Sequence, residues 1–74
     1  MNKKQETAIK KTFGLNIRLL RYQADLSQEQ LAERANIHPT YLSSIEKGER
    51  SIGLIKIMKL AKALGVSPRD LMPE

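Results

Sequence analysis

Residues 26–48 read LSQEQLAERANIHPTYLSSIEKG, and the architecture of the chain follows from them. Ser27 and Gln30 have the spacing of a capping box, in which the serine oxygen accepts from the third helical amide and the glutamine reaches back. This predicts a helix that starts at Gln28, buries Leu31, Ala32 and Ala35, and stops at Asn36 after only about eight residues. His38-Pro39 opens another, because proline lacks the amide that the first helical position would leave unpaired anyway. Leu42 and Ile45 of this second helix face inward and Gly48 closes it. The connection Asn36-Ile37-His38 is too short to let the two helices lie antiparallel, so they must cross steeply and leave the second one projecting.

Upstream, Ile9, Phe13, Ile17 and Leu20 recur at helical spacing and predict an amphipathic helix from Ala8 to Tyr22. Ala24-Asp25 breaks it, Asp25 being tolerable in the left-handed conformation that often ends a helix. Residues 1–7 read as a flexible basic segment preceding a domain over 8–74. Downstream, Glu49 to Gly53 is a polar connection with Arg50 and Ser51 exposed. Ile57, Leu60, Ala61 and Leu64 mark a fourth helix from Leu54 to the stop at Gly65, with Lys56, Lys59 and Lys62 on its solvent side. Ser67-Pro68, followed by Asp70, predicts a short fifth helix. The expectation is an all-α fold of five helices with no competing strand pattern.

At 74 residues the chain has room for one small domain with a thin stability margin, and a partner subunit would widen that margin. No second catalytic domain is expected. Cysteine is absent, so packing has to hold the fold together without disulfides or thiolate-bound metal. His38 is the one histidine, which makes a weak helix cap or a phosphate contact a better reading than a metal ligand. No apolar stretch resembles a signal peptide or membrane span, so a soluble cytoplasmic protein is expected. Ser44-Ile45-Glu46-Lys47 matches a Ser-x-x-Lys pattern, but its partner motifs and a substrate cleft are missing. No enzyme activity, catalytic residue or cofactor is expected.

The formal charge is +5, and the whole excess lies in residues 1–22, where Lys3, Lys4, Lys10, Lys11, Arg18 and Arg21 face only Glu6. Such a start is either a solvated face or a footprint for a polyanion. Together with two short crossing helices it points to a helix-turn-helix, whose second helix enters a major groove about 12 Å wide. That helix offers Pro39, Thr40, Ser43, Ser44 and Lys47 outward.

The runs Asn16-Ile17-Arg18-Leu19-Leu20-Arg21, Leu26 to Ala32, Tyr41 to Gly48 and Ile57 to Leu71 resemble the lambda-repressor-like, or Xre, helix-turn-helix regulators over residues 13–72. Through His38-Pro39-Thr40-Tyr41 and Glu46-Lys47-Gly48-Glu49-Arg50 the chain is most similar to the small controller proteins of restriction-modification systems. The resemblance implies a transcription regulator that binds double-stranded DNA. Gln28 matches a residue contacting a phosphate or outer base, Thr40, Tyr41, Ser43 and Ser44 match the groove-facing set, and Arg50 matches an arginine that reaches DNA. Asn16, Arg18, His38, Pro39 and Lys47 complete the expected DNA-facing set. Arg21 and Glu46 match a partly buried ion pair, a structural feature.

Two departures bear on recognition. Pro39 stands where the family commonly has a polar or basic base reader, and His38 replaces the usual Ser or Thr cap. The first turns of the helix therefore offer no Arg, Gln or Asn for bidentate base pairing, and specificity is expected to lean on Thr40, Ser44, Gln28, Arg50 and DNA shape. Leu71 and Met72 either cover the core or, as the resemblance favours, belong to a fourth-to-fifth helix region that forms a two-fold homodimer contact. The competing function is a helical protein-interaction adaptor or antitoxin-type component, disfavoured by the basic first helix and the small polar face. No small-molecule ligand or effector domain is expected, leaving regulation by concentration and cooperative occupancy.

Overall fold

The computed structural model describes residues 1–74 as an all-helical domain: α1 (Lys3–Gln23), α2 (Gln28–Ala35), α3 (Pro39–Glu46), α4 (Leu54–Leu64), and a single 3-10 turn over Pro68–Leu71. α1 packs on α3, α2 packs on both α3 and α4, and the 3-10 turn closes the end of the domain against α4 and α1. Phe13, Ile17, Leu26, Leu31, Ala32, Ala35, Leu42, Ile45, Leu60, Ala61 and Leu71 form one continuous core. No helix is long and apolar enough to cross a membrane.

The central pair of helices has the predicted bounds and the predicted caps. Ser27 Oγ accepts from the Gln30 amide at 3.1 Å and Gln30 Oε1 accepts from the Ser27 amide at 2.8 Å. Asn36 takes the left-handed conformation, φ 55°, which ends α2 and turns the chain into the next helix. His38 acts as a cap, its Nδ1 accepting from the Thr40 amide at 3.1 Å, with Pro39 at the first helical position.

Three expectations change. α1 starts at Lys3 rather than Ala8, because Asn2 and Gln5 form a second capping box, with Asn2 Oδ1 accepting from the Gln5 amide at 2.8 Å. The apolar periodicity on which the expectation rested is blind to such a polar first turn. The buried face of α1 is also rotated from the predicted stripe: Gly14 and Arg21 are buried beside Phe13 and Ile17, whereas Ile9 is exposed. Finally, the fifth helix is one 3-10 turn, so the α-helices number four. Met72 leaves the turn in an extended conformation, and it precedes Pro73, which disfavours helical backbone in the residue before it.

Candidate nucleic-acid interface

α3 is held by its inner face and free along its outer one. Leu42 and Ile45 are fully buried, whereas His38, Pro39, Thr40 and Lys47 are exposed and Tyr41, Ser43 and Ser44 are half-buried. Gly48, in the left-handed region at φ 74°, carries the chain out of α3 directly over α1, where a β-carbon would lie 2.7 Å from Lys11 Cα. The following loop brings Arg50 back onto α3, and its Nε donates to Ser44 Oγ at 3.1 Å. Ser44 Oγ in turn donates to the Tyr41 carbonyl at 2.8 Å. The serine, expected as a base reader, has thus spent its proton on the backbone and holds Arg50 with its oxygen. Both Nη groups of Arg50 remain available beside the exposed start of α3.

Beneath this surface Glu46 gathers a network. Its Oε2 accepts from Arg21 Nε at 2.8 Å, and its Oε1 accepts from Arg21 Nη2 at 3.0 Å, Gln28 Nε2 at 3.1 Å and Arg18 Nε at 3.3 Å. Arg21 Nη1 also donates to the Leu26 carbonyl at 2.9 Å, tying the α1–α2 connection to α3. Gln28 and Arg18, both expected to face DNA, are tethered by this carboxylate, and the half-buried Gln28 retains one amide proton and its carbonyl for an external partner. Asn16 is turned elsewhere. Its amide nitrogen donates to the carbonyls of Leu71 and Met72 at 3.0 and 3.3 Å, tying α1 to the 3-10 turn.

Burial pushes the Glu46 carboxyl up, but the hydrogen bonds from Arg21, Gln28 and Arg18 and the Arg21 charge outweigh it and hold the group below its ordinary value of 4.5. The Arg21 guanidinium is pushed up, chiefly by its hydrogen bond to Glu46. A carboxyl whose value is depressed on folding contributes stability above the unfolded value and loses it as pH falls through the folded one. Melting temperature should therefore fall on acidification below about pH 4.5, more steeply in the parent than in Glu46→Gln. Parallel falls in the two proteins would remove Glu46 from the acid sensitivity.

The two residues expected at a dimer contact separate. Leu71 is fully buried in its own chain, filling the core at the 3-10 turn, so it has no surface to give a partner; Met72 is partly exposed. Unpartnered apolar surface lies on α1, where Leu15, Leu19 and Tyr22 are exposed, and on α4, where Leu54, Ile55 and Met58 are 71%, 67% and 48% exposed on one side of the helix. The signal was in the sequence: α4 carries more apolar residues than one buried stripe needs.

The helix-turn-helix family profile matches residues 17–71. The chain is 45% identical over 65 residues to control protein C.BamHI of Bacillus amyloliquefaciens, covering 86% of this chain and 80% of that one. It is 44% identical over 64 residues to control protein C.SmaI of Serratia marcescens, covering 86% and 76%. Among solved structures, the restriction-modification controller protein C.AhdI of Aeromonas hydrophila superposes with a TM-score of 0.82 at 40% identity, covering 84% of this chain and 94% of that one.

Proposed function

The chain belongs to the helix-turn-helix family, and we propose that it is a sequence-specific DNA-binding transcription regulator of the restriction-modification controller type, acting as a homodimer on a near-palindromic operator. The observation that carries the reading is α3 itself, anchored by Leu42, Ile45 and Glu46 and exposing a small polar face flanked by the free end of Arg50. Similarity to control proteins over most of their length supports the same role. Thr40 offers its methyl to a thymine, Arg50 offers a fork to a guanine or phosphate, and His38, Pro39, Ser43 and Lys47 line the approach. With so few groups able to pair bidentately with a base, sequence-dependent DNA shape carries much of the discrimination.

The α4 surface of Leu54, Ile55 and Met58 supplies the two-fold contact. Burying three large apolar side chains against their symmetry mates offsets the thin stability margin of a chain this short. A dimer would present its two α3 helices to half-sites about one helical turn, roughly 34 Å, apart.

The test is a gel shift with duplex from upstream of the protein's own gene, titrated with salt, alongside sedimentation. Binding should weaken linearly on a log–log plot against salt and should be competed by the same duplex more strongly than by unrelated DNA. The parent should sediment as a dimer at micromolar concentration, while Ile55→Glu should be monomeric and lose at least tenfold in operator affinity. A monomeric parent with or without DNA would sink the dimer, and salt-independent binding would sink the DNA reading.

A further inference from the structure

Lys56 differs from the solvated lysines with which its helical spacing groups it. Its ammonium lies 4.2 Å from the centroid of the Tyr41 ring, and the guanidinium carbon of Arg50 lies 5.1 Å from the same centroid. One cation comes from the loop after α3 and the other from the first turn of α4, and both converge on one half-buried side chain of α3. The protein's two ion pairs both end on Glu46, so no carboxylate neutralises Arg50 or Lys56. Two unneutralised cations gathered on one ring leave this patch with a net positive charge that an external anion can meet. Arg50 is fixed further by its Nε bond to Ser44 Oγ, which leaves its two Nη groups unspent.

We propose that Tyr41, Arg50 and Lys56 form one anion-binding unit whose ligand is a backbone phosphate of the DNA duplex, with the Tyr41 ring as the platform that positions both cations. This rests on the reading of α3 as a DNA-binding helix and adds Lys56 to the residues that engage the duplex. A base edge presents partial charges to a single fork, whereas two convergent full charges match a full negative charge. A phosphate seated there fixes the register of α3 in the groove without itself reading sequence. Tyr41 acts through the cations and is a positioning residue, its aromatic face holding them where its hydroxyl is not needed.

The measurement is duplex affinity across a range of salt, for the upstream fragment and for an unrelated duplex, using the full chain. Lys56→Gln should lower the slope of log affinity against log salt by about 0.9 and weaken both duplexes by the same factor. Tyr41→Leu should lower the slope at least as much, Tyr41→Phe should restore it, and adding Lys56→Gln to Tyr41→Leu should change it no further. A parental slope in Lys56→Gln overturns the unit; this side chain is exposed, so the variant tests the proposal even where Tyr41→Leu misfolds. A Tyr41→Phe loss equal to that of Tyr41→Leu assigns the effect to the hydroxyl and overturns the platform. Weakening of the upstream fragment alone makes Lys56 a base reader and overturns the phosphate ligand. A parent protein that binds neither duplex sinks the underlying DNA reading, an outcome distinct from these three.

Discussion

Arg21→Ala should cost the domain about 3–5 kcal/mol, a loss comparable with the whole stability of a chain this short. The side chain is 7% exposed and makes three hydrogen bonds, two of them to a Glu46 that is itself 4% exposed. Removing it strands a buried carboxylate and orphans the Leu26 carbonyl, and both penalties fall on the folded state alone. Arg18 and Gln28 still reach Glu46 Oε1, so the loss belongs at the lower end of the range if they tighten around it. Arg21→Lys isolates the geometry: the charge is kept, but a point charge cannot reproduce the two-pronged contact with Glu46 and the bond to Leu26, so an intermediate loss is expected. Thermal and urea unfolding measure both variants. An Arg21→Ala protein melting within about 2 °C of the parent would show that the network contributes little, since each kcal/mol moves the midpoint of a domain this size by about 4–8 °C.

Gly14→Ala should destabilise the protein by about 2–4 kcal/mol, although alanine favours helix over glycine by about 1 kcal/mol. A β-carbon at this position would collide with the Ile45 carbonyl oxygen and come within 2.6 and 2.8 Å of Glu46 O and C. These are backbone atoms at the end of α3, unable to swing aside as a flexible side chain would. α3 would have to move off α1 bodily. Gly14, Ile17, Arg18 and Arg21 lie on one face of α1, so the same displacement would draw Glu46 away from both arginines. Operator affinity should therefore fall along with stability, because the seat of α3 is what aims its outer face. A Gly14→Ala protein as stable as the parent would show that the two helices can separate without cost.

Much of the fold was legible in residues 26–48. The Ser27–Gln30 capping box, the stop at Asn36, Pro39 at the start of α3 and Gly48 at its end are local devices, each set by backbone hydrogen bonds and dihedral preferences among neighbours in the chain. The early start of α1 is equally local, written in Asn2 and Gln5, in a turn without the apolar residues that periodicity detects. The candidate site was legible as residue types but not as partnerships. Arg50 held by Ser44, Lys56 on the Tyr41 ring, and Asn16 on the carbonyls of Leu71 and Met72 each join positions whose side-chain directions follow from how helices pack. Periodicity likewise marks α4 as apolar without telling which of its residues stay exposed, since that depends on how much of its circumference α2 and the 3-10 turn cover.

Sequence alone thus specified two short helices that cross at Asn36-Ile37-His38, because a short turn and a pair of caps leave the backbone little choice. It did not reveal that Gly14, an unfavourable helix residue, is needed, because its cost is local and its benefit is not. Glycine at that position lets α1 and α3 approach until Arg21 and Arg18 reach Glu46, a close approach between segments about thirty residues apart that no local preference encodes.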